Sequence, residues 1–391
     1  MNVTTDSSAH PATLGDYPAP RPLDDAALDH IALSLSAASV VGIGESTRFA
    51  QETFAARAAL FRILVQHHGF RTLALQDSST IGAAMDQFVL TGEGSAAAVL
   101  GAAWRPWRTA EMAAALEWIR DFNRDHAQDP VRIIGIKPAQ AGPDDYDAVA
   151  AAVRTHASDR LPELSSHLDV IRTAHTLDEH VQRANGTHPG RRFADHAHDA
   201  AALLDALPTI PADARDRMRL IVEFHENSVA GRGSFVGDDA VWAETIIEHH
   251  RRTDLRTVLW DGIAHTSASG PDFGLTAGDG DNVSIGSVLR EHFGPAYASV
   301  AIGFHHGNLG VAEVPAPAPD LVDAALGESA LPALWMDLRT TPVPRPAALR
   351  TISGVYTPAS DAAGRITVGS LSGAFDILIH FREVTPVHWL P

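Results

Sequence analysis

Short apolar, β-branched runs recur along this chain with helix-patterned stretches between them, and that alternation narrows the fold more than any other feature. The runs cover residues 38–44, 72–76, 131–136, 256–260, 297–303, 331–338 and 375–381. Continuous apolar runs of this length read as strands buried on both faces, as in a parallel sheet covered by helices. The pattern therefore predicts an α/β fold: a central, mostly parallel sheet with flanking helices. Phe54, Phe61, Leu64 and Val65 fall on one face of a helix over 51–68, directly after a run ending in Gly42-Ile43-Gly44. A second helix is expected through Leu116, Trp118, Ile119 and Phe122, ahead of the run at 131.

From 144 to 227 no strand pattern occurs, while Leu161, Leu164, Leu168, Ile171 and His175 repeat at helical intervals. Pro189-Gly190, Pro208 and Pro211 punctuate the stretch as turns between helices would. The expectation is an inserted helical subdomain, either a lid over a pocket or a helical layer packed on the sheet. Residues 1–23 are polar and proline-bearing and are expected to form a flexible N-terminal segment. Residues 24–391 are expected to form a single domain.

Composition removes several function classes. The chain has no cysteine, which excludes disulfides, thiolate nucleophiles and cysteine-held metals. Its formal charge of −18 repels polyanions, so neither nucleic acid nor an anionic membrane is an expected partner. The first residues lack the basic start and apolar core of a signal peptide, and no apolar run approaches the roughly 20 residues that span a bilayer. A cytoplasmic location is the expectation. Lysine is scarce while arginine, alanine, aspartate and histidine are plentiful, which reads as compositional bias.

Chemistry concentrates at the end of the first run, in Gly42-Ile43-Gly44-Glu45-Ser46-Thr47-Arg48, with Arg57 on the following helix. In open α/β sheets ligands collect at the carboxyl ends of strands. A carboxylate there between two guanidinium groups would be held ionised and oriented. A structural ion pair of Glu45 with Arg57 is the plain alternative. A phosphate loop is disfavoured, because the glycine spacing fits no nucleotide fingerprint and Glu45 would repel the phosphate.

The order of motifs resembles the erythromycin esterase family. The resemblance runs from Val41 to Gly94 through the Gly-Ile-Gly-Glu-Ser-Thr-Arg turn, Phe54, Arg57, Gly69-Phe70 and Val89-Leu90-Thr91-Gly92-Glu93-Gly94, then Trp104, Trp107, Thr109, Glu111, Trp118 and Asn123. It resumes at Trp242-Ala243-Glu244, Trp260 to His265, Gly303-Phe304, Asp337-Leu338-Arg339 and Gly354-Val355-Tyr356. The family implies a Gly-Glu-x-x-His turn whose histidine activates water against a macrolide lactone. Here Glu45 matches the glutamate, but Arg48 stands at the histidine position and cannot act as a general base at neutral pH. Gln76 stands where the family has a glutamate, and Lys137 where it has an aspartate. Of the two histidines after the strand ending in Trp260 only His265 remains, with Asp261 added nearby.

These changes imply either a decayed, non-catalytic binder or new chemistry in an old pocket, and new ionisable residues where old ones are lost favour the second. The expected function is cofactor-independent acid/base tailoring of a large apolar metabolite such as a polyketide, by cyclisation, elimination or isomerisation. An esterase or lactonase using His265 as base is the alternative, and a metabolite-sequestering resistance protein a third. Glu45, Asp261 and His265 are the candidate catalytic residues. Arg48, Arg57, Gln76, Trp104, Trp107, Trp260, His305 and His306 are candidates for contacting a small-molecule substrate. Adjacent strand residues face opposite ways, so at most one of His305 and His306 reaches a pocket unless the strand has ended. No metal is expected, although His265, Asp261 and one of that pair could supply three ligands.

Overall fold

A computed structural model describes residues 12–232, 238–272, 283–352 and 356–391. The strands are β1 (Arg21–Pro22), β2 (Val40–Glu45), β3 (Phe70–Ser78), β4 (Arg132–Lys137), β5 (Arg256–Gly262), β6 (Tyr297–Asn308), β7 (Glu313–Val314), β8 (Ala333–Asp337), β9 (Ala347–Arg350), β10 (Arg365–Val368) and β11 (Ile377–Val384). The helices before β5 are α1 (Asp25–Ser34), α2 (Gln51–His68), α3 (Ser79–Thr91), α4 (Ala96–Leu100), α5 (Ala110–Asp125), α6 (Pro143–His156), α7 (Leu161–Ile171), α8 (Glu179–Ala184), α9 (Phe193–Asp205), α10 (Ala212–Glu226), α11 (Val229–Arg232) and α12 (Asp238–Thr253). After β5 come α13 (Ile263–Thr266), α14 (Ile285–Phe293), α15 (Val322–Gly327) and α16 (Leu371–Ala374).

The main sheet runs β1-β8-β11-β6-β2-β5-β3-β4, with β7 added beside β6. Six neighbouring strands, from β11 through β4, are parallel, and β8 and β1 extend the β11 edge antiparallel. This is the expected mostly parallel sheet. Residues 1–11 and Gly354-Val355 lie outside the described residues. Residues 21 and 22 of the expected N-terminal segment are tied to the sheet edge, opposite Trp335 and Leu334.

Each face carries its own core. Val41, Ile43, Leu73, Leu75 and Trp260 pack under α1, α2, α3 and α5. Val40, Ala74, Ile136, Leu259 and Tyr297 pack under α12 and α14 on the opposite face. The connection leaving β2 therefore crosses one face and that leaving β5 crosses the other. A crevice opens between two adjacent parallel strands at such a divergence, and it opens here at the ends carrying Glu45 and Asp261. Glycine at position 44 follows from this geometry, because a Cβ there would collide with the Thr266 side chain and the Ile263 backbone of α13.

Helices α6, α7, α9 and α10 pack on one another around Tyr146, Leu164, Leu168, Phe193, Leu204, Met218 and Ile221. Their core includes a polar chain. The Tyr146 hydroxyl lies 2.8 Å from Nε2 of His225 and 3.2 Å from Nε2 of His175. Burial lowers His225 to about 3 and His175 to about 4, with neighbouring cations adding to the effect. Both folded-state values lie below the roughly 6.5 of an unfolded histidine. The stability these neutral imidazoles carry is fully present above pH ~6.5 and is lost as pH falls from there toward the folded values. The melting temperature should accordingly fall between pH 6.5 and 4, and His225→Gln, which takes up no proton, should flatten that slope. An unchanged slope in thermal melts of the variant would exclude His225 from the effect.

Candidate functional site

Glu45 ends β2 and is 2 % exposed. Its Oε1 accepts from Nε of Arg48 at 3.0 Å, and its Oε2 accepts from Nη1 of Arg57. Burial pushes the Glu45 carboxyl up from its ordinary value against the pull of Arg57 and Arg48, with Asp261 adding to the rise. Arg57 projects from α2 into a closed aromatic box, its guanidinium 4.6 Å from the Trp260 ring centre, 4.7 Å from Phe54 and 5.3 Å from Trp107. Trp107, Trp260 and Arg57 are all enclosed. The two rings pack on the Arg57 guanidinium, and Arg57 pairs with Glu45.

Arg48 joins two strands. The register pairs Gly44 with Asp261 and Glu45 with Gly262, so the two carboxylates leave adjacent strands on opposite faces. Arg48 spans them, donating Nε to Glu45 and Nη2 to Oδ1 of Asp261. Asp261 Oδ1 also accepts from the Gly262 amide at 2.7 Å. Its Oδ2, in a fully buried residue, has no partner among the described residues. Gln76 Oε1, within β3, and Ser46 Oγ, directly after β2, are likewise buried and unpartnered among the described residues. Unpaired buried polar atoms are costly, and three of them lie on the adjacent strands β2, β5 and β3 or directly after them.

His265 lies in α13, one turn beyond Asp261. Both oxygens of Asp239, in the first turn of α12, face its Nδ1 at 2.9 and 3.0 Å. Burial would lower this imidazole, but Asp239 and Asp261 outweigh it and raise His265 to about 9. Nδ1 is committed to Asp239, and the side chain retains 26 % exposure. The Trp242 ring centre is 6.0 Å away.

Trp104 is half-buried and forms a wall. The Arg48 guanidinium sits 4.4 Å and the Lys137 ammonium 4.9 Å from its ring centre. Its amide donates to buried Asp77 at 2.8 Å, and its indole donates to Asp178, the residue preceding α8. The helical insertion thus reaches the rim.

His305 and His306 are placed elsewhere. Strand β6 continues five residues beyond the expected end at Gly303, so the pair lies within the strand and not at its end. Their Nδ1 atoms are 2.9 Å apart, and His305 packs on Gly327, where any Cβ would strike its ring. Burial, with His306, His380 and Arg350 alongside, lowers His305 to about 4. No hydrogen bond, ion pair or ring contact among the described residues joins either histidine to the Glu45 cluster. The three-ligand set with His265 and Asp261 is not assembled, and no group of three or more His, Asp or Glu among the described residues could hold a metal ion. Asp239 was not legible as a site residue. Its signal is the acidic pair opening the helix that carries Trp242.

The family model described as erythromycin esterase matches residues 65–384. The chain belongs to the erythromycin esterase family. Solved structures agree on the erythromycin esterase fold. A Bacillus cereus protein aligns with a TM-score of 0.64 at 19% identity, over 95% of this chain and 97% of its own. A succinoglycan biosynthesis protein aligns at 0.62 and 19%, over 94% and 95%. A mutant of the erythromycin esterase EreC in its open conformation aligns at 0.54 and 19%, over 93% and 95%. No curated protein sequence matches the chain. No described helix is long and apolar enough to cross a membrane.

Proposed function

We propose that this erythromycin esterase family member is an acid/base enzyme acting on a large, mostly apolar, oxygenated metabolite, with His265 as general acid and Asp261 as base. The observation that carries the reading is the Asp239–His265 pair beside the unpaired Oδ2 of Asp261. A histidine with a pKa of about 9 is protonated at neutral pH and is suited to give a proton. Asp261 has one oxygen free to take a proton, whereas both oxygens of Glu45 are engaged by arginines. A proton leaves a carbon or hydroxyl for Asp261 Oδ2, and His265 Nε2 delivers one to the accepting or departing oxygen. The two transfers balance without adding water, which fits isomerisation, cyclisation or elimination. Arg48 neutralises charge between them.

Family membership supports a second reading, ester or lactone hydrolysis with His265 as base. The pH profile separates the two. If His265 is the acid, kcat/KM falls as pH rises through about 9, because the proton to be donated is lost. Asp239→Asn removes the carboxylate that raises the imidazole, and should move that limb down toward the ordinary range near ~6.5. A rate that rises through pH 9, with products one water heavier by mass, would establish hydrolysis instead. Erythromycin is the first substrate to assay, and its efficient hydrolysis near neutral pH would defeat the acid assignment.

A further inference from the structure

Lys137 is the one lysine in the 391-residue sequence, against 29 arginines. In a chain whose other strongly basic side chains are all arginine, the site of the single lysine is informative, since the two side chains are not interchangeable in shape or donor geometry. It ends β4, at the strand ends that form the site. Its ammonium lies 4.9 Å from the Trp104 ring centre and 5.0 Å from that of Trp242. Trp104 also carries Arg48, and Trp242 lies beside His265, so the two indoles connect Lys137 to both ends of the proton-transfer pair. Lys137 is half-buried and forms no salt bridge or hydrogen bond among the described residues.

We propose that Lys137 is a specificity-determining residue that seats a carboxylate of the substrate, so that the site takes an apolar acid. The inference rests on the acid/base reading for the site's location and extends it to a substrate class. Two indole rings hold the Lys137 side chain in place by cation–π contact, which suits an anion-binding role. A compact ammonium fits between two rings and offers donors in several directions, where the planar guanidinium fork needs a wider, flatter slot. The surroundings select a singly charged partner. Asp77 and His180 are close enough to Lys137 for their titration to feel its charge, and Asp178 binds Trp104. Asp261 and Asp239 lie beyond on the His265 side. This number of carboxylates would repel a dianion such as a phosphate monoester, while one carboxylate is matched by Lys137, with Arg48 and protonated His265 nearby.

A sole lysine makes the test direct. Protein grown with lysine labelled with ¹³C at Cε gives one lysine resonance, from Lys137, without chemical modification. Decanoate should shift that resonance saturably, with a Kd at least about tenfold below that of decanol, since about 1.4 kcal/mol is tenfold. Lys137→Met, with melts showing a folded protein, should bind decanoate no better than decanol. A resonance that decanoate leaves unmoved, equal affinity for decanol, or tighter binding of decyl phosphate would overturn the proposal. The labelled wild-type measurement decides this even if the variant folds poorly. Failure of the acid/base reading would show in turnover, whereas failure of the carboxylate proposal would show in decanoate binding to the labelled wild-type protein.

Discussion

Glu45→Gln should destabilise the fold by about 3–5 kcal/mol, the cost of removing one partner from a buried ion pair. Arg57 is 2 % exposed and is boxed in by Phe54, Trp107 and Trp260, so its charge has no route to water once the carboxylate is neutral. Glutamine retains one carbonyl oxygen where the native residue has two acceptors, one for Arg48 and one for Arg57. Its amide nitrogen would then face a guanidinium, donor against donor. Turnover should fall as well, because Arg48 also holds Asp261 and would move with its lost partner. The two roles of Glu45 separate by measurement. If it is the anchor, thermal melts drop sharply and the residual activity at permissive temperature keeps the wild-type pH profile. If it transfers the proton itself, the profile loses a limb while the melt stays near wild type. An unchanged melt with unchanged kinetics would leave Glu45 no role in either respect.

The parallel sheet was legible because its strands are buried on both faces and therefore read as unbroken apolar runs, as in Val40–Glu45, where all six residues are buried. The Gly-Ile-Gly turn was legible as a site marker for a related reason: glycine at 44 is what allows α13 to approach β2 closely. Strand length was less legible. The run ending at Gly303 continues through Phe304, His305 and His306 to Asn308, since pairing with β11 and β7 carries polar residues along as part of the strand. That extension places the histidine pair inside the strand.

The tryptophans show where composition gives out. Trp104, Trp107 and Trp260 are alike in sequence, yet Trp107 and Trp260 are sealed beneath Arg57 and only Trp104 reaches the rim, a difference set by which face of which element each occupies. Asp239 was hidden for a different reason. It lies 26 residues from His265 and meets it only because α12 and α14 pack together beside the end of β5. Nothing local in the sequence encodes that approach. Arginine at position 48, where the family resemblance implies a histidine, was by contrast readable at once, because protonation chemistry depends on residue type more than on tertiary detail.

His265→Asn should lower kcat by roughly 10²- to 10⁴-fold, the range for loss of a positioned proton donor, while the protein folds. Asparagine can keep a hydrogen bond to Asp239, and Asp239 also accepts from the Ile285 amide at 3.3 Å, so the acidic residue is not stranded. The half-open position of His265 avoids a sealed cavity. Stability nevertheless should respond with a defined pH signature. The folded pKa of about 9 exceeds the unfolded value near ~6.5, so protonated His265 contributes stability that is fully present below pH ~6.5 and is lost as pH rises through about 9. Wild type should thus melt above the variant at pH 6 and converge with it beyond pH 9, as the imidazolium that binds Asp239 disappears. A structural histidine without a catalytic task would show the same convergence but no loss of kcat. A histidine that merely contacts substrate would raise KM and leave kcat nearly intact. Melts at pH 6 and above 9, taken with the kcat and KM of the variant, distinguish these roles, and retention of full turnover would remove His265 from the chemistry and leave Asp261 without its acid.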